Sequence, residues 1–218
     1  MKTKLLSSFD SIPYFTIEAV KQLLGDESAA SGTIQTSLYR WTKTGQIIRL
    51  KKGVYMTRHF YDLHKADIDF LPAVSTILLP QSYNSLEYVL QRHGILTDIT
   101  YPISSITLKQ TRVIENKIGT FKYRNIKIEL YKGFTISEYL GIAFAQATLG
   151  KALFDYFYLR RWKAIKRSAT SDISEDLRLN LEDFSEKDRT DFSEFVEMSK
   201  SRKMSQILKN LRNTVWRP

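Results

Sequence analysis

Apolar residues recur at helical spacing near the start of the chain. In the stretch TIEAVKQLLG, Ile17, Val20 and Leu24 lie on one side of a helix. Thr16 is of the residue type that caps a helix at its N-terminus, and Gly25 is of the type that ends one. The pattern therefore predicts a helix between these two residues, and we expect a shorter helix before it.

A further helix is predicted from Thr33 to Thr44, with one apolar side and one polar, basic side. Ile34, Leu38 and Trp41 stand at i, i+4 and i+7 and form the apolar side. The opposite side and its flank carry Gln35, Thr36, Tyr39, Arg40 and Lys43. We expect these polar and basic side chains to be exposed.

Two short strand-like segments follow this helix. QIIRL and VYMT are rich in β-branched and aromatic residues, and KKG joins them. Gly53 supplies the positive φ that a tight turn needs, so we expect Lys51 and Lys52 to lie at a solvent-facing tip. Three helices and a two-stranded ribbon are the order of a winged helix-turn-helix, whose third helix enters the major groove of DNA. We therefore predict such a domain over residues 1–62.

Further along the chain, strand-like runs appear between segments with helical spacing, and this change of pattern predicts a second domain over residues 66–218. Four strand-like runs follow one another: SSITLKQT, RVIENK, GTFKYR and IKIELYK. Alternation at Phe121 and Tyr123, and at Ile126, Ile128 and Leu130, indicates a half-buried antiparallel sheet. Helical spacing precedes these runs in SYNSLEYVLQRHG and follows them in QATLGKALFDYFYLRRW. Beyond about residue 162, further helical spacing predicts a helical C-terminal tail packed on the sheet.

These elements give an α+β fold, and composition limits its chemistry. Of the 218 residues, 43% are hydrophobic and 26% are charged, which is typical of a globular protein. The absence of cysteine excludes disulfides, thiolate zinc sites and cysteine nucleophiles. The longest uncharged run is interrupted by prolines, and the first residues lack the apolar core of a signal peptide. We expect a cytoplasmic protein that does not contact membranes.

The formal net charge of +10 is unevenly placed. Between Ser28 and Tyr61 there is no Asp or Glu, and this segment contains the predicted helix and hairpin. Its basic residues are Arg40, Lys43, Arg49, Lys51, Lys52 and Arg58. Because a carboxylate would repel phosphates, the pattern favours a surface that binds the DNA backbone. The alternative is a basic, solvated helix and hairpin in another kind of small domain.

The DNA interpretation assigns roles to individual residues. Four are expected to read base edges: Gln35, Thr36, Tyr39 and Arg40. Four are expected to contact phosphates: Lys43, Arg49, Lys51 and Lys52. Glutamine can pair bidentately with adenine and arginine with guanine, so the first set can provide sequence specificity.

An alternative function is a magnesium-dependent nuclease, or another enzyme acting on DNA, anchored by the winged helix. Asp98, Glu115 and Lys117 resemble the acidic pair and lysine with which such enzymes hold a metal near the scissile phosphate. Exposed strand and loop charges explain the same residues, and we predict no metal site, no cofactor and no catalytic residue.

Two charged residues in the last predicted helix form a further candidate site. Lys151 and Asp155 in GKALFD stand four residues apart, where an exposed ion pair contributes a few tenths of a kcal/mol. They are either a structural pair or part of a functional surface.

Four segments, in order, resemble one protein family: YRWTKTGQIIRLKKGVY, PQSYNSLEYVLQRHG, GTFKYRNIKI and GKALFDYFYL. The resemblance is to AbiEi antitoxins, the transcriptional-regulator half of AbiE-type toxin–antitoxin systems of phage defence. It covers about residues 9–162.

This resemblance implies that the winged helix binds inverted repeats in operator DNA and represses its own operon. It implies that the second domain counters a nucleotidyltransferase-type toxin in the type IV manner, without an obligatory stable complex. It also places a segment similar to the one holding Lys151 and Asp155 on the face used for antitoxicity. We expect a monomer in solution.

Overall fold

The computed structural model describes residues 2–24, 31–97, 102–161 and 173–217. Its first elements are α1 (Lys2–Ser7), β1 (Phe15–Thr16), α2 (Ile17–Leu24), α3 (Ser31–Lys43), β2 (Ile47–Lys51) and β3 (Val54–Thr57). The three strands form an antiparallel sheet in the order β1-β3-β2. The predicted order of helices and hairpin is thus confirmed, whereas Gly25 lies outside the described residues.

The three helices contribute to one core with the small sheet. Ile34, Leu38 and Trp41 of α3 are buried there, which confirms the apolar side predicted for this helix. The other buried members of this core are Phe9, Phe15, Val20, Ile47 and Tyr55. Burial of this stripe fixes the rotation of α3 about its axis, and the polar side must therefore face away from the core.

The β2–β3 hairpin has the tight turn that the sequence predicts. Gly53 has a φ of 78°, and Lys51 pairs with Val54 across the turn. A register shift between Arg49 and Lys51 adds one residue to β2.

The middle of the chain forms a second, larger sheet with helices on both faces. Its elements are α4 (Arg58–His64), α5 (Phe70–Leu78), β4 (Ser82–Asn84), α6 (Leu86–Arg92), β5 (Ile103–Thr107), β6 (Arg112–Glu115), β7 (Thr120–Asn125), a 3₁₀ turn (Ile128–Leu130), β8 (Phe134–Tyr139), β9 (Ile142–Ala147) and α7 (Leu149–Leu159). The strand order is β6-β7-β5-β4-β9-β8. Because β4 pairs with β9 and β5 with β7 in parallel, the predicted antiparallel sheet is wrong and the sheet is mixed.

The fourth predicted strand, IKIELYK, is also wrong. Ile126 and Leu130 are buried, but Ile128 is exposed and begins the 3₁₀ turn. A 3₁₀ turn has three residues per turn and does not keep the two-residue period of a strand, so the alternation in this segment does not correspond to a strand.

Two cores lie on opposite faces of the larger sheet. One contains Ile106 together with α6, α7 and the C-terminal helices α8 (Ile173–Asp176), α9 (Glu186–Ser199) and α10 (Arg202–Asn213). The other contains Ile103, Phe121 and Tyr123 with α5. The helical tail is therefore present over residues 173–217 and closes the first of these cores.

The β2–β3 hairpin takes part in two cores. Ile47 and Tyr55 belong to the N-terminal core, whereas Ile48, Leu50 and Met56 belong to the core around α5. Successive side chains of a strand point to opposite faces, so both faces of the hairpin are covered. The division into residues 1–62 and 66–218 stays a prediction.

Candidate nucleic-acid interface

Helix α3 presents a polar and basic side to solvent. Gln35, Thr36, Tyr39, Arg40 and Lys43 are all exposed, and Tyr39 is 67% exposed. The Thr36 hydroxyl donates to the Gly32 carbonyl at 2.8 Å. This bond engages the Thr36 hydroxyl within the helix, so its methyl group is the part best suited to an apolar contact.

Carboxylates are absent from the sequence around this surface until Asp62 of α4. Asp62 accepts hydrogen bonds from Arg58 at 2.8 Å and from Lys65 at 3.3 Å. The Arg58 hydrogen bond is the main cause that lowers the pKa of Asp62. Its negative charge is thus balanced locally by two cations.

The hairpin tip places its three basic residues in different surroundings. Arg49 and Lys52 are exposed. The Lys51 ammonium instead donates to the carbonyls of Ile77 at 2.6 Å and Leu78 at 3.1 Å, at the end of α5. The expectation that the Lys51 side chain faces solvent is therefore wrong.

The environment of Lys51 explains this placement. The last carbonyls of a helix have no partner within the helix, and an ammonium group can satisfy them. Burial lowers the pKa of Lys51, and the nearby positive charge of Lys109 lowers it further. Lys51 therefore links the hairpin to α5, and whether it also reaches a phosphate stays a prediction.

A turn of the larger sheet lies beside the hairpin. The Asn116 side chain donates to the Leu50 carbonyl at 3.1 Å. Glu115 and Lys117, two residues of the nuclease alternative, flank Asn116 and are both exposed. Asp98, the third residue, lies outside the described residues. Within residues 2–24, 31–97, 102–161 and 173–217, no group of three or more His, Asp or Glu side chains is arranged to hold a metal ion.

The candidate pair in α7 is buried rather than exposed. The Lys151 ammonium and the Asp155 carboxylate are 2.5 Å apart, which confirms the ion pair, and both side chains are 0% exposed. The structure thus places them in the core beneath the larger sheet, and neither side chain lies on a surface that another protein could contact. The reason is the apolar neighbourhood of this segment, in which every residue of α7 from Gly150 to Phe157 is buried.

Two partners of this pair were not identified from the sequence. The other oxygen of Asp155 accepts hydrogen bonds from the hydroxyls of Tyr83 at 3.0 Å and Ser85 at 2.8 Å. Both residues come from the segment around β4, about seventy positions earlier in the chain. No local spacing joins them to α7, although burial of two charges always requires further hydrogen-bond partners.

Burial changes the protonation preference of the pair. It raises the pKa of Asp155, and the Lys151 charge and the hydrogen bonds oppose this rise. It lowers the pKa of Lys151, against the attraction of Asp155. Burial therefore disfavours both charges, and each depends on the other for compensation.

In the part of the chain that the structure describes, no helix is both long and apolar enough to cross a membrane.

No curated protein matches this chain. Residues 4–57, which contain α3 and the hairpin, match the family described as "Transcriptional regulator, AbiEi antitoxin". The resemblance of the segments beyond residue 57 stays a prediction. The match confirms the resemblance to AbiEi antitoxins over residues 4–57.

Proposed function

We propose that this protein is a DNA-binding repressor and antitoxin in which α3 enters the major groove and the β2–β3 hairpin acts as the wing. The observation that carries the proposal is the two-sided character of α3. Its apolar side is fully committed to the core through Ile34, Leu38 and Trp41, while its other side is exposed, basic and without acids. The family match over residues 4–57 supports a regulatory role.

The exposed side of α3 offers the chemistry needed to read bases. Gln35 and Arg40 can form bidentate hydrogen bonds with adenine and guanine, and the Thr36 methyl can meet a thymine methyl. Tyr39 stands among them and adds a hydroxyl and an aromatic surface. Lys43, in the last turn of the helix, contacts a phosphate and carries no sequence information.

The wing contributes to affinity rather than to specificity. Arg49 and Lys52 are exposed near a tight turn, where a flexible basic side chain can approach the backbone of DNA. Lys51 fixes the position of the wing, because its ammonium bonds to two carbonyls at the end of α5.

The remaining roles follow from the family and are part of the same proposal. The operator contains inverted repeats, and binding there represses the operon that encodes the protein. Residues 66–218 counter a nucleotidyltransferase-type toxin in the cytoplasm. Lys151 and Asp155 contribute to antitoxicity only through the stability of this region, because both are buried.

The test compares selected and random DNA. Duplexes are first selected from a randomised pool with the wild-type protein, and affinities for a selected and a random duplex are then measured at one fixed salt concentration. Arg40→Ala is expected to reduce the ratio of the two affinities by about 5- to 150-fold, which corresponds to one bidentate base contact. Lys43→Ala is expected to lower both affinities by the same factor.

Lys209→Ala, an exposed lysine of α10, serves as the control and should leave both affinities unchanged. If selection yields no preferred duplex, the protein is not a sequence-specific DNA-binding protein. If Arg40→Ala lowers both affinities equally, Arg40 contacts the backbone and the assigned reading side is wrong. Antitoxicity is tested separately by growth rescue in cells that express the toxin of the same operon, and Arg40→Ala should retain rescue.

A further inference from the structure

A small cavity lies between α9 and the end of α10, and two arginines reach it from the two helices. Its volume is about 240 Å³. One water molecule occupies about 30 Å³ of the liquid, so the cavity has room for a small ligand. It is below the range of about 300–1,000 Å³ that is typical of sites for drug-sized molecules. The residues that line it are Glu186, Arg189, Thr190, Ser193, Arg212 and Trp216.

Arg189 has hydrogen-bond donors that the surrounding protein does not use. Its Nε atom is buried and has no acceptor among the residues that the structure describes. Its Nη2 atom donates to the Glu182 carbonyl over a long distance of 3.4 Å. Native structures leave very few buried donors unpaired, so this N–H requires an acceptor from a ligand or from solvent.

The guanidinium group of Arg212 is also available to a ligand. Arg212 is exposed, and its Nη2 atom donates to the Ser193 hydroxyl at 3.4 Å. Within the described part of the chain, neither Arg189 nor Arg212 forms an ion pair with a carboxylate. Each guanidinium has five N–H donors, so most of them remain for a ligand. Two positive charges at one cavity repel each other, and an anion between them would remove this repulsion.

The acidic residues of α9 do not provide this anion. Asp188 accepts a hydrogen bond from the Ser185 hydroxyl at 2.5 Å, and Asp191 accepts one from the Thr148 hydroxyl at 2.7 Å. Glu186 lines the cavity, but it is exposed and forms no ion pair with either arginine. Its negative charge therefore opposes the binding of an anion without taking the place of one.

We propose that this cavity binds a phosphate group between Arg189 and Arg212, either as inorganic phosphate or as part of a small phosphate monoester. Near pH 7 a phosphate monoester carries a charge of about −1.5 to −2 and has three strong acceptor oxygens. This charge balances two guanidinium groups, and each guanidinium can donate two parallel hydrogen bonds to the oxygens. A carboxylate has a single charge and two oxygens, so it can satisfy one arginine in this way but not both. The proposal is independent of DNA binding.

The first test uses the full chain of the wild-type protein. It is titrated with sodium phosphate, and separately with sodium chloride at matched ionic strength and pH, while the melting temperature is measured. A ligand that binds the folded protein raises its stability with ligand concentration, and phosphate is expected to do so beyond chloride. Broadening of the phosphorus NMR signal reports the same binding without unfolding. Equal effects of the two salts would overturn the proposal.

Two arginine variants then test the location of the site. Arg212→Met should weaken phosphate binding about tenfold or more, because charge-assisted hydrogen bonds are lost from an exposed side chain. Arg202→Met replaces an exposed arginine at the start of the same helix and should bind phosphate as the wild type does. This control accounts for phosphate that binds to other basic surfaces, including the exposed side of α3. Equal affinities of the two variants would exclude the cavity.

Two further measurements test the charge of the ligand and its source. Glu186→Gln should strengthen phosphate binding several-fold, because it removes a negative charge from the lining of the cavity. An unchanged or weaker affinity would contradict the binding of an anion there. Glycerol phosphate is compared with inorganic phosphate on the wild-type protein. An affinity at least equal to that of inorganic phosphate assigns the site to a small phosphate monoester, and a much lower one assigns it to inorganic phosphate.

Discussion

Replacement of Lys151 by methionine is expected to destabilise the protein through the charge that it leaves behind. The Lys151 ammonium lies 2.5 Å from Asp155 with no exposure of either side chain. Without this cation, Asp155 keeps only the hydroxyl donors of Tyr83 and Ser85. Removal of one partner of a buried ion pair typically costs about 3–5 kcal/mol.

The surroundings of Lys151 make this loss mainly electrostatic. Its ammonium lies 4.7 Å, 4.8 Å and 5.7 Å from the ring centroids of Phe195, Phe154 and Tyr83. Methionine is unbranched and fills such an apolar space without leaving a large cavity. A domain is stable by about 5–15 kcal/mol in total, so the expected loss is a large fraction of the free energy of unfolding.

The loss should depend on pH. Burial raises the pKa of Asp155, and Lys151 opposes this rise, so its removal raises the folded-state pKa further. A carboxyl group with a raised folded-state pKa binds its proton more tightly in the folded than in the unfolded protein. The Lys151→Met variant therefore loses stability as pH rises from the unfolded-state pKa of Asp155 toward its folded-state pKa. Acidification restores part of the lost free energy of unfolding.

The assay is urea unfolding of the full chain at about pH 7 and about pH 5. The matched control is Arg58→Met, which breaks an exposed i,i+4 pair with Asp62 and should change stability little at either pH. The difference between wild type and Lys151→Met should shrink at the lower pH. A loss no larger than that of Arg58→Met, or one equal at both pH values, would refute the reasoning.

Three further predictions concern other lysines and the wing. Replacement of Arg49 and Lys52 by alanine should lower the slope of log K against log salt by about 0.9 for each lost phosphate contact, measured by salt titration of DNA binding. An unchanged slope would show that neither Arg49 nor Lys52 contacts a phosphate. Lys51→Met should lower the melting temperature, because its ammonium bonds to α5, and the salt slope of this variant tests the phosphate contact expected of Lys51. Lys203→Met should cost about 1–3 kcal/mol in urea unfolding, because the Lys203 ammonium donates to three carbonyls at the end of α7, whereas Lys209→Met on the same helix should not.

The sequence predicted the N-terminal elements because their signals are local. The spacing of Ile34, Leu38 and Trp41 alone determines which side of α3 is buried. Gly53 alone marks the turn of the hairpin through its positive φ. Both signals lie within a few residues of the feature that they specify.

The larger sheet was predicted poorly because its pairing is not local. Alternation shows which side chains of a strand are buried, but it does not show which strands are neighbours or in which direction they run. The β8–β9 hairpin was missed for a different reason. Its two-residue turn is Leu140 and Gly141, both with positive φ, and leucine at the first of these positions is not a turn signal.

The candidate lysines show the same limit at the level of side chains. Lys51 lies in a basic turn, which suggests exposure, and the spacing of Lys151 and Asp155 predicts a pair without showing that it is buried. The Lys51 ammonium is instead bound by the α5 carbonyls, far away in sequence. Lys151 does pair with Asp155 four residues on, but the hydroxyls of Tyr83 and Ser85 that complete this buried cluster come from about seventy positions earlier. A long side chain can reach several environments from one backbone position, so its destination depends on tertiary structure.

The position of the hairpin connects the DNA-binding proposal to the rest of the chain. Its second face buries Ile48, Leu50 and Met56 against the core around α5. At the tip, the Lys51 ammonium bonds to a carbonyl at the end of α5, and the Asn116 side chain donates to the Leu50 carbonyl. Protein interiors are close-packed, so the hairpin cannot move without loss of contacts in both cores. A division of the chain at residue 62 would expose these three apolar side chains. The same strands that would serve as the wing thus hold α3 in a fixed orientation to the larger sheet.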